Sequence, residues 1–261
     1  MSTAPNVIWL GLSGSFVASL GTAVGALCIL AVRRMSSALQ DGLLSGAAGV
    51  MLAATFFSLL LPALEFAERQ TGGPVQAALM VAAALLLGAV ALHQIHQRAP
   101  HEHFIKGREG PDAGTLGRIW LFVIAITLHN FPEGMAVGVG FAGGDIRNGL
   151  ALAAGIAVQN VPEGLAVAVS LLSVGYSRLQ ALIVGALTGL VEPVGGLFGS
   201  IAVSAAAPLT PWAMGFAAGA MLFIISDEII PQTHRGSFAT LATFSLMGGF
   251  ALMMFLDAAL G

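Results

Sequence analysis

Apolar residues run along this chain in long, nearly unbroken stretches with no two-residue alternation. Such stretches lie at about 7–32, 37–66, 74–96, 118–141, 148–172, 179–203, 211–231 and 238–259. A helix needs about 20 apolar residues to cross the hydrocarbon core of a bilayer. The pattern therefore predicts an all-α integral membrane protein, a single domain over residues 1–261 with eight transmembrane helices. The alternating ten-residue strands of a membrane barrel are not part of the pattern. The connections are short and turn-rich, as at Gly72-Gly73-Pro74, Gly143-Gly144-Asp145 and 208–211. The one long polar connection is 97–117. The first apolar run has no basic residue before it and is too long for a signal-peptide core, so it reads as a retained first helix.

Composition agrees with this reading. Of 261 residues, 57% are hydrophobic and 9% charged, whereas soluble domains carry about 25% charged residues. A soluble enzyme or a nucleic-acid binder is excluded. The net charge of −3, without a basic tract, offers nothing to a polyanion. Cys28 is the single cysteine, so an intrachain disulfide and a thiolate metal cluster are excluded. The 34 glycines suit helices that approach closely. Lys and Arg divide unevenly between alternate connections. Arg33, Arg34, Arg98, Lys106, Arg108, Arg118, Arg178 and Arg235 fall on one side, Arg69 and Arg147 on the other. The richer side is cytoplasmic by the positive-inside rule, which puts both termini outside.

The acids carry the chemistry. Glu133, Glu163 and Glu192 fall near the middles of the fourth, fifth and sixth helices, and no Lys or Arg falls at that depth. A carboxylate there is costly unless it holds a proton or a cation. Its surroundings repeat. The windows beginning at Leu128 and Val158 share seven of 14 positions, including Asn-x-Pro-Glu-Gly in both. Consecutive spans run antiparallel, so the two copies face each other about a pseudo-two-fold axis, the arrangement on which secondary transporters build a midplane site. His129 and Glu133 are spaced i,i+4 and Asn130 and Glu133 i,i+3, which places ligands on one helix face. Gln159, Asn160 and Glu163 repeat the spacing. Pro132 and Pro162 are expected to kink their helices and free the carbonyls of Leu128 and Val158. A set of one imidazole, three carboxylates and three amides suits Zn²⁺, Fe²⁺, Mn²⁺ or Cd²⁺ and not Cu⁺.

These residues, His-Asn-x-Pro-Glu-Gly at 129–134, Gln-Asn-x-Pro-Glu-Gly at 159–164 and Glu192-Pro193, resemble the ZIP family of divalent-metal transporters, most of all its bacterial branch. The resemblance spans essentially the whole chain. It implies zinc as the main substrate, with Cd²⁺, Fe²⁺ or Mn²⁺ in some members, and one or two ions at the site. It implies a first ion on His129, Glu133, Gln159, Glu163 and Glu192 with Met51 nearby. A second would lie on Asn130, Glu133, Asn160, Glu163 and Glu192. Relatives carry His or Asp where this chain has the weaker amide ligands Gln159 and Asn160, which leaves the second ion and the preferred metal open. The resemblance further implies a homodimer and an elevator motion of helices one, four, five and six against the other four. The compact chain suggests a bacterial inner membrane.

Other polar residues are secondary candidates. Asp227, Glu228 and His234 form an exit or accessory site, or simply a solvated helix end; Asp41 is similar. Ser58 pairs with Met51 along the second helix. Glu65 and Asp257 lie toward the outer ends of helices two and eight. His93, His96, His101 and His103, with Glu102, give a loop that binds metal weakly or serves as a polar linker. Two other functions compete with metal transport. One is a proton-coupled carrier of an organic cation, which Phe131 alone would serve poorly as an aromatic cage. The other is a membrane metalloenzyme, which lacks the expected His-Glu-x-x-His pair.

Overall fold

The computed structural model describes residues 6–31, 36–98, 101–103, 107–109, 118–173, 176–234 and 237–260. Among them the chain forms eight long helical rods. They are α1 (Val7–Leu30), α2 (Ser37–Thr71), α3 (Pro74–Arg98), α4 (Arg118–Gly140), α5 (Ile146–Ser173), α6 (Arg178–Ala205), α7 (210–233) and α8 (Ala239–Leu260). Six of them, all but α4 and α7, contain segments long and apolar enough to cross a membrane. Their outward faces are greasy: Leu79 is 67% exposed, Phe244 69% and Phe255 65%. A surface of that kind belongs in lipid.

Local sequence sets the ends. The side chains of Asn6 and Ser36 accept from the backbone N–H groups of Ile8 and Leu39, and Ser177 forms a capping box with Gln180. Gly72 stops α2 with φ 76°, and Gly144 turns the chain into α5 with φ 82°, backbone that favours glycine. The α2 helix is longer than the apolar pattern suggests, because the polar stretch after Phe66 continues to that glycine. A short hairpin, β1 (His101–His103) with β2 (Gly107–Glu109), occupies the long connection, with Glu102 opposite Arg108. The alternation of apolar residues gave no sign of it.

Prolines shape the rod interiors. Pro62 follows a π turn at Thr55–Leu60, and Pro231 follows one at Ile225–Ile229. Each proline offers no N–H to the carbonyl four residues earlier, that of Ser58 or Asp227. Pro193 likewise follows a 3₁₀ turn at Gly189–Val191. Pro132 and Pro162, in contrast, lie inside helices that continue on both sides.

Close packing joins the rods in pairs: α1 with α5, α4 with α6, α2 with α8 and α3 with α7. Glycines make these approaches possible. A Cβ at Gly25 or Gly164 in the first pair would fall within 3.0 Å of facing backbone. The same is true of Gly138 or Gly195 in the second, Gly49 or Gly249 in the third and Gly88 or Gly219 in the fourth. In a membrane, van der Waals contact at such faces holds helices together. Gly11 and Gly196 also tie α1 to α6. Between α5 and α8 the contact at Gly155 is instead with the flexible side chain of Met253.

Candidate metal site

The two proline-containing segments meet in the interior. His129, Asn130, Glu133, Gln159, Asn160, Glu163 and Glu192 are all buried, none more than 6% exposed. Three helices supply them, and the glycine contacts bring those helices close enough for the side chains to touch.

Amide groups thread the cluster together. Gln159 Nε2 donates to Glu133 Oε1 at 2.6 Å and lies 3.4 Å from Asn160 Oδ1. Asn160 Nδ2 donates to Glu192 Oε1 at 2.9 Å and to the Ala18 carbonyl at 3.1 Å. Asn130 Nδ2 donates to the Thr188 carbonyl at 3.0 Å. Thr22 Oγ1 lies 3.4 Å from Glu192 Oε1. His129 acts on the charge of Glu163, and Glu163 and Glu192 act on that of Glu133, so the groups sit within electrostatic reach of one another.

The other oxygens of the cluster are left over. Glu133 Oε2, Glu163 Oε2, Glu192 Oε2, Asn130 Oδ1 and Gln159 Oε1 are buried and accept no hydrogen bond from the described residues. Buried polar atoms are seldom left so. Five acceptors in one cluster suit a cation that brings its own positive charge. Among the described residues, no three His, Cys, Asp or Glu converge tightly enough to hold an ion by themselves. The amides stand between the carboxylates, so an all-carboxylate and imidazole cage is not what this arrangement offers. The described Lys and Arg side chains lie at helix ends or in connections, so none neutralises the cluster.

The remaining candidates are dispersed. Met51 is fully buried in the main apolar core. Ser58 Oγ donates to Asp257 Oδ1 at 2.7 Å, joining α2 to α8. Glu65 pairs with Arg69 at 3.5 Å on an exposed surface. Asp227 belongs to the second π turn. His234 Nδ1 lies 3.0 Å from Thr233 Oγ1 and 3.1 Å from the Ile230 carbonyl, and the ring acts on the charge of Asp41. The side chain of Glu228 lies outside the described residues. His93 and His96 stand on the last turns of α3 rather than in the loop, and His93 Nε2 contacts Gln97 Nε2 at 2.9 Å. His101 and His103 are in β1, and their side chains, with those of His96 and Glu102, lie outside the described residues.

Sequence reasoning passed over two polar groups. Thr22 touches Glu192 from α1. Asn148 Nδ2 donates to the Gly140 carbonyl at 2.9 Å and to the Ser58 carbonyl at 3.1 Å. Pro62, four residues after Ser58, was the available signal for the second. A cavity of about 250 Å³ between α2, α5 and α8, lined by Val50, Val158, Pro162 and Gly248 among others, reaches Gln159.

Known proteins resemble this chain along its length. The family model described as ZIP Zinc transporter matches residues 90–257. The chain is 46% identical to the zinc transporter GufA of Myxococcus xanthus, over 96% of this chain and 99% of that protein. It is 50% identical to the zinc transporter ZIPB of Bordetella bronchiseptica, over 99% of this chain and 84% of that one. With the human zinc transporter ZIP11 it shares 34% identity over 97% and 98% of the two chains. The chain belongs to the ZIP zinc transporter family. It is an integral membrane protein.

Proposed function

We propose that the protein carries divalent metal, foremost Zn²⁺, across the membrane into the cytoplasm through the buried cluster on α4, α5 and α6. The observation that carries this is the set of five unsatisfied buried oxygens around three carboxylates with no described Lys or Arg beside them. The names of the relatives supply the metal. They also set aside the metalloenzyme alternative.

The transport site is built from His129, Glu133, Gln159, Glu163 and Glu192, with Asn130 and Asn160 alongside. The charge favours one ion: three carboxylates nearly balance a single divalent cation, and two cations would exceed them. Both asparagines donate to backbone carbonyls through Nδ2, and each offers metal the one weak ligand an amide has, its oxygen. Metal ligands must be deprotonated to bind, so protonation favours release. Met51, on the facing helix α2, is the soft ligand nearest in the family's pattern.

All eight rods span the membrane on this reading. The 23 residues of α4 reach about 34 Å at 1.5 Å each, enough to cross. The hairpin end is cytoplasmic and the end with Gly72 and Gly144 is outside, as the Lys and Arg distribution requires. Trp9 and Trp212 then mark the outer boundary, and Trp120, whose Nε1 donates to Tyr176 Oη at 2.8 Å, the inner one. Tight glycine contacts bind α1, α4, α5 and α6 into one body, while the glycine contacts of α2 with α8 and α3 with α7 belong to the other four. Side chains such as Met253 form the seam, a division that suits an elevator. A homodimer in a bacterial inner membrane is the family's expected setting.

Zinc uptake into proteoliposomes containing a zinc-sensitive dye tests the reading. The wild type admits zinc, and Glu163→Ala, correctly folded, admits none. Normal uptake by that variant sinks the site assignment.

A further inference from the structure

The site has a second internal relation, between α1 and α6. Residues 18–27 and 188–197 are identical at four of ten positions: Leu20 and Leu190, Val24 and Val194, Gly25 and Gly195, Leu27 and Leu197. By itself so short a match means little. The structure places the two segments equivalently around the duplicated motif. Asn160 Nδ2 donates to the Ala18 carbonyl, and its counterpart Asn130 donates to the Thr188 carbonyl, at 3.1 and 3.0 Å. Gly164 lies against the backbone of Thr22, and its counterpart Gly134 against the backbone of Glu192. Gly25 lies against Val161 and Leu165, and Gly195 against Phe131 and Met135, again counterparts. Hydrogen bonds and glycine contacts thus give one correspondence: α1 on α5 matches α6 on α4.

That correspondence pairs Thr22 with Glu192. The two side chains meet across the pseudo-two-fold relation, with Thr22 Oγ1 3.4 Å from Glu192 Oε1. Both are buried, Thr22 at 1% exposure and Glu192 at 0%. One half of the site therefore presents a carboxylate where the other presents a hydroxyl. The hydroxyl donates, so with Asn160 Nδ2 it occupies Oε1 and leaves Oε2 without a partner among the described residues. A second carboxylate at this place would raise the cluster's charge from three to four. A hydroxyl keeps it at three.

We infer that Thr22 is a positioning residue of the transport site: as the pseudo-symmetric counterpart of Glu192, it fixes one oxygen of that carboxylate and turns the other toward the metal. The inference rests on the cluster being the transport site. It differs from a packing role because the hydroxyl, not the shape, carries the function.

The test is zinc uptake in proteoliposomes at graded zinc concentrations by wild type, Thr22→Val, Thr22→Ala and Thr22→Ser, with Glu163→Ala beside them. Loss of one hydrogen bond predicts KM raised about fivefold in the Val and Ala variants with Vmax within about twofold of wild type. Thr22→Ser restores the wild-type KM. Valine keeps the shape, and alanine serves if valine misfolds. A wild-type KM in the Val or Ala variant overturns the inference, and so does a Ser variant no better than Val. Those results leave the site assignment standing if Glu163→Ala is dead. Undiminished uptake by Glu163→Ala removes the assignment, and the role of Thr22 with it.

Discussion

Two glycine-to-alanine changes of identical chemistry have opposite expected effects. At Gly134, on α4, a Cβ would come within 3.0 Å of the carbonyl oxygen, carbonyl carbon and Cα of Glu192. These are backbone atoms and cannot turn aside. For Gly134→Ala to be accommodated, α4 and α6 must part by roughly 1 Å to regain van der Waals separation. Overpacking of this sort costs about 1–3 kcal/mol, against about 1 kcal/mol returned by alanine's better helix propensity. At Gly248, on α8, a Cβ would meet nothing within 4 Å. Gly248→Ala therefore keeps the propensity gain and loses nothing. The variants differ by about 1–3 kcal/mol, or several degrees of melting temperature at about 2–4 °C per kcal/mol for a chain of this size class. Melting in detergent, followed by tryptophan fluorescence, reads the difference. Uptake adds a second reading: parting the helices displaces Glu192, so Gly134→Ala loses most of its zinc transport and Gly248→Ala keeps it. A Gly134→Ala protein that melts with Gly248→Ala and transports normally would refute the packing argument.

Other perturbations follow from single contacts. Asn148→Ala removes the hydrogen bond from α5 to the Ser58 carbonyl on α2, so a cysteine at buried Leu152, in a Cys28→Ser background, should react about fivefold faster with an impermeant thiol reagent from outside; an unchanged rate means the bond does not hold α5 against α2 at Leu152. Gln159→Leu leaves Glu133 Oε1 without its donor at 2.6 Å, and zinc KM should rise about tenfold or more, as expected for a hydrogen bond to a charged group. Replacing His101 and His103 together by alanine should leave uptake within twofold, because the hairpin is not part of the buried cluster; loss of transport would place a required step in the loop.

Much of this architecture is legible in the amino-acid sequence because a bilayer allows few solutions. Helix count follows from apolar runs, and the duplicated Asn-x-Pro-Glu-Gly places two carboxylates at mid-helix before any coordinates are known. The partners of those carboxylates are harder to read. Thr22 looks like any small residue in an apolar helix, and its likeness to Glu192 emerges only when Ala18 and Thr188 are seen accepting from equivalent asparagines. The π turns in α2 and α7 have a signal in Pro62 and Pro231, yet Pro132 and Pro162 sit in helices that continue through them, so proline alone does not tell the two outcomes apart. The pairing of His101–His103 with Gly107–Glu109 is between backbone groups in a polar stretch, where hydrophobic periodicity carries no information. His93 and His96 lie inside the apolar stretch 74–96 and stand on α3, so the four histidines grouped as one loop divide between a helix end and a strand.

The central claim is that metal passes through the cluster on α4, α5 and α6. Anomalous scattering from crystals of the wild type grown with Cd²⁺ locates the ion directly. The expected peak lies in the cluster of His129, Glu133, Gln159, Glu163 and Glu192, and disappears in Glu163→Ala. A strong peak only at the hairpin or at the end of α7, with none between the two proline-containing helices, would contradict the account.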